Sequence, residues 1–283
     1  MNKLIMGFDN KKNLKPKNRF EVFKLMFYES PLKLVLLSFS IFISTLPLVI
    51  LLVSKDIYIM YGDASIKDNP YGLFLINFFT YTISIPLIII VFVNLGGVFY
   101  VIKKMAWDET LDFKFDYKDG IKKSLKESVL LGLILGLSID VMMTNLYFLR
   151  LDLGFDPIIT TIMTYLSIIQ FIVILLMVMF GMSQAVIYQQ SFRSLIKNSF
   201  VFAIVKIIKN LLMLTLSMFP LILILLSGNN LLTFIFYLGC GLIGFIFTVI
   251  VWTLYSHSIF DRFINQKYFK ELVNKGIDTK NNI

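Results

Sequence analysis

From Asn210 to Phe260 the chain carries no Asp, Glu, Lys or Arg over 51 residues. A bilayer core about 30 Å thick takes about 20 apolar residues per helix, so this stretch is long enough to cross twice. The run Ser227-Gly228-Asn229-Asn230 within it has the composition of a tight turn and divides it into two spans. Four further apolar stretches precede it. The expectation is an all-α, polytopic integral membrane protein in one domain. Its six transmembrane helices fall near 34–54, 71–102, 128–148, 158–188, 210–227 and 231–256, with a basic lead at 1–33 and a tail at 257–283.

Composition agrees. The chain is 57% hydrophobic and only 16% charged over 283 residues, against about 25% charged in ordinary soluble domains. Its net charge is +9, but the positive residues are spread between apolar runs and form no single patch. Nucleic-acid binding is therefore not expected; the lipid bilayer is the expected surrounding. Of the 27 Lys and Arg residues, 24 fall in the lead, in 103–127, in the connection before the fifth span and in the tail. Positive residues concentrate on the cytoplasmic side, so both termini are expected in the cytoplasm and the chain in the cell membrane as a multi-pass protein. The first apolar run lacks a small-residue cleavage site and reads as a retained helix.

Prolines fall inside several spans. Pro86 is expected to kink the second. Pro47 and Pro220 lie in the similar strings Thr45-Leu46-Pro47-Leu48-Val49-Ile50 and Met218-Phe219-Pro220-Leu221-Ile222-Leu223, which would suit a parallel internal repeat.

Polar residues inside the spans are the candidate functional groups. In the third span Gly132, Gly136, Asp140 and Thr144 recur every four residues. Gly132-x-x-x-Gly136 is a motif for close helix approach, which turns Asp140 towards protein. An ionised Asp near the helix centre costs about 2.5–3.5 kcal/mol on insertion scales, so it is expected to be partnered or protonated. Depth along the neighbouring spans points to Asn77, Thr80, Thr164 and Gln170 as members of a polar cluster around it. Cys240, Gly244, Thr248, Trp252 and Ser256 make a second small-residue stripe, with Gly244 as a packing position.

The segments between spans divide by pattern. Arg19–Glu29 places Phe20, Phe23 and Phe27 among basic residues and reads as a helix lying in the membrane interface. In 103–127, Leu111, Phe113, Phe115 and Tyr117 alternate with polar residues, suggesting an extended piece, and Tyr117, Ile121 and Leu125 then follow helical spacing. Phe115, Tyr117, Ile121, Lys122 and Leu125 are the expected partner-facing residues. No Gly-x-x-x-x-Gly-Lys-Ser/Thr, His-Glu-x-x-His or Gly-x-Ser-x-Gly motif occurs. The single Cys and single His give no metal-ligand spacing. No catalysis, metal or cofactor is expected.

Two regions carry a resemblance. One is Gly96-Gly97-Val98-Phe99-Tyr100-Val101-Ile102-Lys103-Lys104 with Asp116-Tyr117-Lys118-Asp119-Gly120-Ile121-Lys122-Lys123-Ser124-Leu125-Lys126, and the other is Ser258-Ile259-Phe260-Asp261-Arg262-Phe263-Ile264. With six spans they resemble the YesL-like family of bacterial integral membrane proteins, a family of unknown function, over residues 20–265. This chain looks longer than typical members around the first outer loop. The family often accompanies carbohydrate uptake systems and two-component regulators. The resemblance therefore implies a non-catalytic accessory role, with transporter or sensor-kinase subunits as partners. The residues alone leave open a small secondary transporter or channel built around Asp140.

Overall fold

The computed structural model describes residues 15–62, 69–151, 155–226 and 230–278. It is all-α, with no strand among the described residues. Five helical runs are long and apolar enough to cross a membrane, and six if a bent pair is counted as one span. The chain is thus a polytopic helical membrane protein.

Helix α1 spans Arg19–Glu29 and is capped by Asn18, whose side chain accepts from the Glu21 N–H at 2.9 Å. Ser30 breaks it, and Pro31 opens α2, Pro31–Tyr61, at a position where proline's missing N–H has no helical acceptor to lose. Helix α3 spans Pro70–Ala106, with Asn69 accepting from two N–H groups of its first turn. Helix α4 spans Phe113–Phe148 and α5 spans Pro157–Ala185. Pro86 lies inside α3, which continues through it as a single helix.

From Phe113 onward the extended piece expected at 111–117 is instead the start of α4. Asp112 caps that helix by accepting from the Phe115 N–H at 3.1 Å, and Asp116 accepts from the Asp112 N–H at 2.9 Å. These local bonds favour the helix over a strand-like alternation. The result is one helix of 36 residues, about 54 Å long, against a bilayer core of about 30 Å. Its first four turns therefore run beyond the apolar part, alongside the end of α3.

Glycines set that α3–α4 pairing. A Cβ on Gly97 would lie 2.8 Å from the Tyr117 carbonyl oxygen, and one on Gly120 would lie 2.5 Å from the Tyr100 Cβ. Farther along, Gly132 faces the Ile89 backbone and Gly136 the Ile85 backbone, with Cβ distances of 3.0 and 3.3 Å. The two backbones approach closely from the basic end through most of the apolar part.

The span expected at 210–227 is not one helix, and a sharp elbow precedes it. Helix α6, Phe192–Ile204, meets α7, Ile207–Ser217, at an angle of 96°. Lys206 makes the elbow with φ of 64°. After Met218 the chain continues as α8, Phe219–Leu226, in which Pro220 is the second residue. Pro47, in contrast, sits inside unbroken α2. The two similar strings therefore adopt different structures. The turn expected at Ser227–Asn230 falls mostly on 227–229, outside the described residues.

The last span is helical throughout but not uniform. Helix α9, Asn230–Gly239, passes through a wide π turn at Cys240–Gly244 into α10, Phe245–Phe260, and a second π turn at Asp261–Asn265. A π turn upsets the regular carbonyl pairing. Here the Ser38 hydroxyl donates to the Cys240 carbonyl at 3.0 Å, and Gly241 leaves room for the Phe42 ring. Gly244 packs on Cys240 and Pro220. Helix α10 is the centre of the molecule, packing against α1, α2, α3, α5, α7 and α8. Its Trp252 and Phe260 are fully buried against Phe180 of α5.

Candidate functional site

The polar residues predicted around Asp140 are not brought together. Asp140 is half-buried, and its carboxylate accepts long bonds from the Thr82 hydroxyl, at 3.4 and 3.5 Å, with Thr144 of its own helix also close by. Thr82 itself is exposed. Asn77 is buried elsewhere, where it donates to the Leu73 carbonyl and accepts from the Lys55 ammonium at 3.3 Å. Thr80 and Thr164 each donate to their own helix, at Ile76 and Thr160, and Gln170 is exposed.

The organised polar chemistry lies at the opposite, lysine-rich end. There α1, the ends of α3 and α10, the start of α4, the α5–α6 connection and the tail meet. Besides the Asp112 N–H, Asp116 accepts from the Lys104 ammonium with both oxygens, at 2.8 Å each. Glu109 takes the Lys275 ammonium at 2.6 Å. Lys103 lies 3.7 Å from the other Glu109 oxygen, beyond hydrogen-bond reach. Both ammoniums sit over the Trp107 ring, at 4.5 and 4.4 Å, and Lys103 is also 4.8 Å from the Tyr100 centroid. The faces of these rings offset part of the cost of taking a cation out of water.

The N-terminal helix is tied into the same end. Arg19 donates to Asp261 at 2.8 Å and to the Lys275 carbonyl at 3.0 Å. Its guanidinium thus faces protein. Phe23 meets Phe247 of α10 edge-on, with centroids 6.0 Å apart. Asp261 also accepts from Asn265, which in turn accepts from the Tyr188 hydroxyl at 2.7 Å. Burial, then the nearby Asp261 carboxylate, pushes the Tyr188 phenol far above its usual value, so it stays a protonated donor. Gly276, with φ of 83°, lies so close to Ala106 that a Cβ would be 2.1 Å from its carbonyl oxygen.

A chain of amides stiffens the α5–α6 connection. Gln184 donates to Ser199 at 2.8 Å and accepts from Gln190 at 3.1 Å, while Gln190 accepts from Asn198 at 3.2 Å. Between this connection and the α3–α4 pair is a cleft of about 610 Å³, lined by Tyr100, Lys103, Gly120, Lys123, Glu127 and residues 185–191. A second cleft, of about 400 Å³, lies between α1 and the end of α3. Asp140 lines neither. Among the described residues no group of three or more His, Cys, Asp or Glu is placed to hold a metal.

The residues expected to face a partner divide in two. Phe115, Lys122 and Leu125 are exposed. Tyr117 and Ile121 turn onto α3, where Ile121 packs at Gly97 and the Tyr117 hydroxyl donates to Asn94. Asn94 also donates to the Ser40 carbonyl and the Ser44 hydroxyl, at 2.9 Å each, joining α2, α3 and α4. Asn94, Gln184, Tyr188 and Asn265 were not singled out from sequence. Single polar residues in or beside apolar runs were the available signal.

No protein-family model, no curated protein and no solved structure matches the chain.

Proposed function

We propose that the chain is a non-catalytic accessory protein of the bacterial cell membrane. In this reading both termini and the lysine-rich end lie in the cytoplasm. It serves as a docking platform for the cytoplasmic parts of a carbohydrate-uptake or sensing complex. The observation that carries the reading is on the projecting part of α4. Phe115, Lys118, Lys122 and Leu125 recur at i, i+3, i+7 and i+10 and are all exposed. They form one stripe, apolar at both ends and cationic between, on a helix held rigid by its glycine contacts with α3. Such a stripe fits a partner helix with apolar anchors around acidic residues. The family resemblance adds the class of partner: a transporter subunit or a sensor kinase. The lysine asymmetry supports the orientation.

The test is recovery of partners from native membranes in mild detergent, with wild type compared against the triple variant Phe115→Ser, Lys122→Glu, Leu125→Ser. Stoichiometric transporter or kinase subunits that disappear with the variant are the expected result. Equal recovery with both proteins would sink the reading.

A further inference from the structure

We infer that the cleft between the α3–α4 pair and the α5–α6 connection binds a small anionic group, a phosphate or phosphate ester, through Lys103 and Lys123. This inference does not rest on the docking stripe, which lies on the exposed side of α4.

The argument starts from Lys103. Its side chain is about nine-tenths buried, yet its ammonium makes no hydrogen bond. Glu109, the one carboxylate paired with it, gives its close contact to Lys275. The other mostly buried cations described at this end have closer partners, Lys104 with Asp116 and Arg19 with Asp261, and the more exposed Lys123 has Asp119 at 2.7 Å. Among the described residues Lys103 is thus the buried cation left short of an acceptor, and a buried ammonium is costly unless something supplies one. It lines the cleft.

The surroundings suit an anion of modest size. Lys123, on the same cleft, is held by Asp119 and donates to the Tyr100 hydroxyl at 3.3 Å. Tyr100 therefore stands between the two lysines, in reach of both. The facing wall carries Gln189, which is exposed, and Ser191, which caps the start of α6. That helix directs its positive end towards the cleft wall. The amide chain through Gln184, Gln190 and Asn198 fixes this wall from behind. Glu127 also lines the cleft and makes no ion pair or hydrogen bond. It is the one acidic group among the lining residues, Asp119 and Glu109 touching the two lysines from outside the lining, and it lies seven residues along α4 from Gly120, away from the Tyr100 level. There it can accept from a hydroxyl or amine of a larger ligand. An anionic oxygen beside Lys103 would complete its coordination and gain charge-assisted bonds from both lysines.

The group can come from a soluble phosphate compound or from an anionic lipid headgroup, since the cleft opens at the basic end, where inner-leaflet headgroups would lie. The full chain in nanodiscs is tested against two probes. Inorganic phosphate and phosphoserine are titrated by thermal shift and calorimetry in phosphatidylcholine discs. Phosphatidylglycerol retention is measured by native mass spectrometry from mixed discs. The variants are Lys103→Met, which keeps the stem between the rings, and Lys123→Met, whose mostly exposed side chain is no threat to folding. Lys126→Met, outside both the cleft and the docking stripe, is the control.

Roughly tenfold weaker binding by Lys103→Met and a loss by Lys123→Met, with Lys126→Met unchanged, is expected for one probe. Dependence in the soluble titration assigns a metabolite phosphate, and dependence in lipid retention assigns a headgroup. If Lys103→Met fails to fold, Lys123→Met alone decides. Neither probe binding, or binding that Lys123→Met and folded Lys103→Met leave unchanged, overturns the inference.

Discussion

At the scale of single residues, buried amides set the bends that apolar side chains cannot. Asn210 is fully buried near the start of α7, and its amide donates to the carbonyls of Phe202, Ala203 and Val205 at 2.7–3.1 Å. Its oxygen accepts from the Tyr255 hydroxyl at 2.6 Å. These carbonyls end α6, where the 96° bend leaves them without helical donors. Asn210→Leu should leave them and the tyrosine unpaired, at a cost of roughly 2–4 kcal/mol. Thermal denaturation in detergent is the check, with Tyr255→Phe losing less, since it removes one bond and not the cap. Asp140 should behave in the opposite way. Its long contacts with an exposed Thr82 predict that Asp140→Asn unfolds at a temperature close to wild type. A large drop would show that the carboxylate carries structure that these two contacts do not reveal.

At the scale of helices, the α3–α4 pairing depends on missing side chains. Gly120 sits against the Tyr100 Cβ, and a side chain there would push the two backbones apart. Gly120→Val should lower stability by about 1–3 kcal/mol, as overpacking does, and loosen the projecting hairpin. Hydrogen exchange of residues 113–127 is the measurement, and unchanged protection would contradict this account. Much of this was legible in sequence. Apolar length pointed to five of the long spans, because a bilayer demands it, but not to the bend that precedes the fifth, and the four-residue recurrence of Gly132 and Gly136 pointed to one face. The start of α4 was not legible. Leu111, Phe113, Phe115 and Tyr117 fit an alternating strand and also the faces of a helix. What decides is the capping by Asp112 and Asp116, and Asp116 depends on Lys104, twelve residues earlier. The polar cluster around Asp140 failed for a related reason. Depth places residues at one level but leaves their rotation about the helix axis open, and rotation turns Gln170 outward and Asn77 towards Lys55.

At the scale of the whole molecule, the two ends of the bundle differ in more than charge. The lysine-rich end is closed by long-range contacts that tie the beginning of the chain to its end: Arg19 to Asp261 and to the Lys275 carbonyl, and the Asp278 N–H to the Pro16 carbonyl at 2.9 Å. The side chains of Arg19 and Asp261 are only 15% and 11% exposed, so breaking this pair leaves a charge in a poor solvent. Arg19→Met alone should cost on the order of 2 kcal/mol, less than the 3–5 kcal/mol of a fully buried pair. Arg19→Met with Asp261→Asn should recover part of that loss, because no unpaired charge then remains. The cost should also persist at high salt, since screening reaches buried pairs weakly. The readout is protease cleavage in the tail at 270–278, which Arg19→Met should accelerate and the double variant accelerate less. If cleavage is equally slow in all three proteins, the tail is held by Gly276 against Ala106 and by Lys275 on Glu109 and Trp107 without help from α1, and the N-terminal helix is an attachment to this end and not part of its closure.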